Sequence, residues 1–297
     1  GIRSQPRSRG LGDVYKRQVK DFQNLLSEKR NLGEEIGFIP TMGALHEGHT
    51  SLIDTSVREK KTTVVSIFIN PLQFSPEEDL DDYPLNFEKD KEICAKHKVD
   101  LLFCPTQKEI YPKGPPELEE IGELGKILEG KSRPSHFQGV ATVVARLFEI
   151  VGDAYVYFGE KDFQQIMVVN DLVKRRRFPV EIVACPTIRQ IDGLALSSRN
   201  VYLTEEQRAD APVLYRALNV GAESIVDGEK NSENLKKLIS DIVRNESKGD
   251  LDYVEVVDSE TFTPLDLLSD SGRKIRILIA CKFGNARLID NIGVVIP

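Results

Sequence analysis

No apolar run in this 297-residue chain approaches the ~20 residues that span a bilayer, so the sequence offers no membrane helix. It also lacks an excess of positive charge. A net charge of −7 argues against a protein that coats nucleic acid. Cysteine is scarce and scattered: Cys94, Cys104, Cys185 and Cys281 form no C-x-x-C pair. That spacing excludes a dense disulfide framework and a clustered zinc site, and fits reduced, mostly buried thiols of a cytoplasmic protein. Internal repeats and low-complexity tracts are absent.

What is present is the composition of an ordinary globular protein, 40% hydrophobic and 29% charged. At ~150 residues per domain, the length suggests about two domains. Residues 1–18 stand apart. They carry Arg3, Arg7, Arg9, Lys16 and Arg17 against a single acid, Asp13, and have no apolar segment of the kind a secretory signal needs. They are expected to be a non-native or disordered leader outside the fold.

From residue 19 onward, apolar runs alternate with helical periodicity. Strands are expected at 36–39, 62–69, 99–104, 155–158 and 180–185, with helices between them. Thr62-Thr63-Val64-Val65-Ser66-Ile67-Phe68-Ile69 is β-branched and almost wholly apolar, the pattern of a strand buried on both faces of a parallel sheet. The fold expected is therefore α/β, with a Rossmann-type parallel sheet over 19–187 and a smaller C-terminal α/β (α+β) domain over 188–297. In the smaller domain, helices are expected at 205–226 and 231–246. Strands should follow at 251–257 and 275–281, with a short one near 286–289.

Several strand ends run straight into turn-forming and polar residues. Pro40-Thr41-Met42-Gly43-Ala44-Leu45-His46-Glu47-Gly48-His49 joins the first strand to a helix. Such a helix start presents unpaired N–H groups and suits an anion, and histidines three apart project from one face. Alone, the stretch is equally compatible with a loop bearing two surface histidines. Asn70 and Gln73 follow the second strand on the same rim. Gly159-Glu160-Lys161-Asp162 follows the fourth, and Leu196-Ser197-Ser198-Arg199 lies in a serine-bearing loop whose hydroxyls could simply cap a turn. A zincin H-E-x-x-H pattern would need a histidine at position 50, which is Thr50.

Four blocks in order, 40–52, 68–84, 136–165 and 186–204, resemble the pantothenate synthetase (pantoate–β-alanine ligase) family of the HIGH-motif nucleotidylyltransferases. A weaker match lies at Arg287-Leu288-Ile289-Asp290-Asn291. The resemblance implies an ATP-dependent ligase that makes pantoyl adenylate and passes the acyl group to β-alanine, and a cytoplasmic homodimer using Mg²⁺. It implies ATP contacts from Met42, Gly43, Ala44, Leu45, His46, Glu47, Gly48 and His49, and from Gly159, Glu160, Lys161 and Asp162. Ile188, Leu196, Ser197, Ser198 and Arg199 complete the ATP set. His46, His49 and Lys161 are expected to be catalytic, the histidines as donors to phosphate. Gln73 is expected on pantoate and β-alanine, Gln165 on pantoate, and Asn70 beside them. No protein-held metal is expected. His136 reads as structural and His97 as an ordinary surface residue.

Overall fold

The computed structural model describes residues 15–74 and 86–297, and its contacts divide the chain into two units. The first comprises the described residues up to Phe158 together with Val168–Cys185; the second comprises Gly159–Met167 and Pro186–Pro297. Most of the Arg/Ser-rich leader and the acidic connector near residue 80 lie outside the described residues.

In chain order the first six strands and seven helices are β1 (Tyr15–Lys16), α1 (Val19–Asn31), β2 (Ile36–Thr41), α2 (Glu47–Arg58), β3 (Thr62–Ile67), α3 (Phe87–Lys96), β4 (Leu101–Phe103), the single turns α4 (Gln107–Ile110) and α5 (Glu129–Ser132), α6 (His136–Val151), β5 (Ala154–Gly159), α7 (Phe163–Arg176) and β6 (Val180–Cys185). The sheet runs β1-β4-β3-β2-β5-β6, and the pairs from β1 through β5 are parallel. All six residues of β3 are buried, as its apolar run requires of a central strand covered on both faces. Strand order reverses beside β2, so the residues after Thr41 leave the sheet at a switch point, where ligands of such sheets bind.

Two residues assigned to the leader belong to the sheet. Tyr15 and Lys16 pair with Leu102 and Phe103 as the edge strand β1. A two-residue edge strand has too short a period to be read, and basic residues suit a solvated sheet edge.

The second unit packs α8 (Glu205–Asp210), α9 (Val213–Val226) and α10 (Ser232–Glu246) with an antiparallel sheet of β7 (Asp250–Asp258), β8 (Lys274–Phe283) and β9 (Ala286–Val295). Alternate residues Ile275, Ile277 and Ile279 of β8 are fully buried and share a core with Leu214, Leu218, Leu235 and Ile239 from α9 and α10. Strand β9 is ten residues long, where only a short strand near 286–289 was expected. The polar pair Asp290-Asn291 interrupts its apolar alternation, yet both side chains are buried, 4% and 3% exposed. Cys94, Cys104, Cys185 and Cys281 form no disulfide; Cys94, Cys185 and Cys281 are buried and Cys104 is partly so.

Candidate active site

In the first unit, residues 41–49 form a turn held at three points. Thr41 Oγ1 donates to Ser66 O on β3 (2.7 Å) and accepts the N–H of Gly43 (3.2 Å). Gly43 has φ 90° and Ala44 has φ 52°. A non-glycine residue there costs ~1–2 kcal/mol, so something must hold it. That group is Asp90 of α3. Its Oδ2 accepts from Ala44 N (2.9 Å) and its Oδ1 from Leu45 N (2.7 Å), with the side chain 2% exposed.

His46 is the N-cap of α2. Its Nδ1 accepts from Gly48 N (3.1 Å), and His49 Nδ1 accepts from His46 N (3.3 Å), making a capping box of two histidines. The ring centroids are 4.2 Å apart. Because each Nδ1 accepts, each neutral ring carries its proton on Nε2 and presents that nitrogen as a donor. The sequence placed the histidines on one helix face; the structure adds that each ring is locked to the backbone of the helix start, the N–H groups of His46 and Gly48 being taken up by the two rings.

Gln73 lies in a single helical turn, 71–73, after β3, and is 9% exposed. Its Oε1 accepts from Asn70 Nδ2 (3.4 Å) and its Nε2 donates to Met42 Sδ (2.7 Å). Asn70, expected beside the substrate, is fully buried. Its Nδ2 also donates to Gly139 O (3.0 Å), and its Oδ1 accepts from Leu72 N (3.4 Å) and the Tyr111 hydroxyl (3.1 Å). Donors and acceptor are all engaged within the chain, and one of them is the Gln73 side chain. Burial pushes the Tyr111 phenol up, which keeps it a donor. His136 Nδ1 lies 3.0 Å from Gln73 O. Gly139 is required for close approach: a Cβ there would lie 2.1 Å from Leu72 O.

The second unit brings together the remaining segments. Gly159, Glu160, Lys161 and Asp162 form the end of β5 and a tight turn; Lys161 Nζ lies 3.5 Å from Asp162 Oδ1. Gln165 sits in the first turn of α7, half-buried, next to the buried Gln164. Ile188 and Leu196 are cross-chain neighbours in a small hairpin, Leu196 N donating to Ile188 O (2.9 Å). Ser197 caps the following turn, its Oγ accepting from Arg199 N (3.2 Å), and the Arg199 side chain is exposed. The capping role left open for Ser197 is thus present; the hydroxyl proton is not used in it. His97 pairs with Asp54 (2.7 Å) on the first unit's surface.

A model of the pantoate-beta-alanine ligase family matches residues 15–293. The chain belongs to this family. Pantothenate synthetase from Caldicellulosiruptor bescii is 44% identical over 281 residues, 95% of this chain and 99% of that protein. The one from Aquifex aeolicus is 46% identical over 276 residues, 93% and 96% of the two chains. Among solved structures, pantothenate synthetase from Thermus thermophilus matches with a TM-score of 0.86 at 44% identity, over 94% of this chain and 98% of the other. Pantoate-beta-alanine ligase from Francisella tularensis, solved with beta-gamma ATP and β-alanine, matches with a TM-score of 0.75 at 38% identity, over 94% and 97%.

Within this ligase, sequence reasoning missed Asp90, Arg189 and Arg276. One signal for Asp90 was available: it lies three residues after Phe87 and four before Cys94, so a carboxylate occupies the apolar stripe of α3. Arg189 and Arg276 gave no comparable sign, because their acidic and amide partners, Asp290 and Asn291, are distant in sequence.

Proposed function

We propose that this protein joins pantoate to β-alanine at the expense of ATP. The pantoate carboxylate attacks the α-phosphorus, the bond to the β-phosphate oxygen breaks, and pyrophosphate leaves. The amine of β-alanine then attacks the acyl carbon of pantoyl adenylate, loses a proton, and AMP departs as the amide forms.

The observation that carries this reading is the double histidine cap. With both Nδ1 atoms accepting backbone N–H groups, His46 and His49 act through Nε2–H as donors to phosphoryl oxygens where charge develops. One such donor is typically worth ~10²–10³ in rate. The backbone of 42–49 lines the same anion. Lys161 supplies a point charge to phosphate and Asp162 accepts from the ribose hydroxyls. The backbone at Ile188 meets adenine, and Leu196, Ser197, Ser198 and Arg199 take the β- and γ-phosphates. Gln73 and Gln165 bind pantoate through neutral amides that suit hydroxyls and leave its carboxylate to react, and Gln73 also touches β-alanine. Among the described residues the Gln73 Nε2 donor is paired with a thioether, and sulfur is a weak acceptor that a substrate oxygen replaces with gain.

Among the described residues no three carboxylate, imidazole or thiolate side chains converge as a metal cage. Mg²⁺ enters with the triphosphate, in keeping with its habit of binding substrate phosphates. The working form is a cytoplasmic homodimer. The decisive experiment is exchange of labelled pyrophosphate into ATP: it should need pantoate but not β-alanine, and AMP should accumulate only with all three substrates. Exchange without pantoate would overturn the reading.

A further inference from the structure

The two nucleotide segments of the second unit meet on one dipeptide of β9. Asn291 Nδ2 donates to Glu160 O and to Lys161 O, both at 2.9 Å. Its Oδ1 accepts from Arg276 Nη1 (2.7 Å), whose guanidinium lies 4.0 Å from the Phe163 ring centroid and also reaches Glu160 Oε1 (3.4 Å). Next to it, Asp290 takes Arg189 in a bidentate pair (2.6 and 2.8 Å). Arg189 continues to Gly193 O (3.1 Å) and Asn291 O (3.3 Å) and lies over the Tyr215 ring, closing the hairpin that starts at Ile188. Burying these groups on a strand otherwise flanked by core residues is unfavourable unless every one is paired, and here the amide and carboxylate are.

We infer that Asn291 is a positioning residue for ATP: it fixes the backbone from which Lys161 projects, and with Asp290 it sets that backbone against the Ile188 hairpin. This rests on the assignment of Lys161 and Ile188 to ATP. Asparagine is the residue the geometry asks for, because two N–H donors from one short side chain meet two successive carbonyls while its oxygen serves Arg276. Aspartate at this position keeps the Arg276 contact and turns an oxygen toward those carbonyls.

The test uses the full chain and the variants Asn291→Asp, Asn291→Ser, Lys161→Ala and the double variant Lys161→Ala with Asn291→Asp. ATP affinity is measured directly by calorimetry, with the pantoate and ATP requirements of pyrophosphate exchange alongside. Misplacing a binding group by an ångström costs on the order of 10²-fold. The expected result is ATP binding weakened ~10–10²-fold by Asn291→Asp. The pantoate requirement should change less than about two-fold, and in the Lys161→Ala background the same change should add little, as coupled sites do. Wild-type ATP affinity in a variant that melts normally, equal effects on ATP and pantoate, or fully additive losses would each overturn the proposal. Should Asn291→Asp not fold, Asn291→Ser is read by the same criteria. A wild-type chain that binds ATP but never exchanges pyrophosphate would sink the ligase reading while leaving the Asn291 comparison decidable.

Discussion

The carboxylate of Asp90 lies 2.9 Å from the amide nitrogen of Ala44, a residue held at φ 52°. A buried acid on α3 thereby fixes a left-handed residue in the turn that leads into α2. Asp90→Ala leaves the N–H groups of Ala44 and Leu45 without their acceptor, at ~1–3 kcal/mol for each buried group left unpaired. We expect a melting temperature lowered by several degrees and an ATP requirement raised at least ten-fold. Asp90→Asn keeps one acceptor and should fall between wild type and Asp90→Ala. Thermal melts and pyrophosphate exchange check both; wild-type kinetics in Asp90→Ala would refute the anchoring role.

Capping by His46 and its proposed donation to phosphate separate cleanly. Asparagine's Oδ1 can replace Nδ1 as acceptor for Gly48 N, so His46→Asn should retain stability while losing the Nε2–H donor. The expected outcome is a near-normal melt with pyrophosphate exchange reduced ~10²–10³-fold. His46→Ala should show the same loss of rate plus ~1 kcal/mol of stability. His49→Ala and Lys161→Ala should abolish detectable adenylate formation in folded protein. Near-normal turnover in either would remove it from the phosphate contacts.

Gln73→Ala should raise the pantoate requirement far more than that for ATP. Asn70→Ala should reproduce that selectivity from a distance, because its amide orients Gln73. It should also destabilise the chain, since Tyr111 and Gly139 O lose their partner. Steady-state kinetics with each substrate varied in turn tests this. Equal effects on the two substrates would count against both assignments.

Asp258 gives the second unit an acid sensitivity unrelated to the chemistry. Burial works to raise its pKa. The Arg273 guanidinium (2.8 Å) and the N–H groups of Thr261 (2.7 Å) and Glu260 (2.9 Å) outweigh it, and the group sits at about 2. The unfolded chain takes up that proton near ~3.9. The contribution is therefore present above ~pH 4 and is lost as pH falls toward 2. Asp258→Asn should lower stability at neutral pH, and its deficit against wild type should shrink below ~pH 4. Urea midpoints for the two proteins between pH 2.5 and 7 measure this; a constant difference would contradict it.

The parallel sheet was legible because Thr62–Ile67 has nowhere to hide its β-branched run except between two layers of helix. The histidine turn was legible as a helix start with both rings on one face, since spacing three on a helix needs no tertiary information. What could not be read was anything that depends on a distant partner. Asn70 looks like a rim residue in sequence, and only the approach of Gly139 and Tyr111 shows it to be enclosed. The full length of β9 was hidden for a related reason. Asp290 and Asn291 look solvent-seeking until Arg189, Arg276 and two backbone carbonyls arrive to satisfy them. Composition, too, misplaced an edge, since Tyr15 and Lys16 fall within the basic segment 1–18 but pair with β4.

The grip of Asn291 on the backbone of Lys161 joins residues 130 positions apart. During synthesis the lysine emerges long before the asparagine. Contacts between such distant segments close late and slowly. A growing chain can therefore complete its histidine cap early, while the lysine acquires its asparagine anchor only once β9 has emerged. Loss of β9, by a frameshift or a nick, would then leave a protein with an intact parallel sheet and an unanchored lysine.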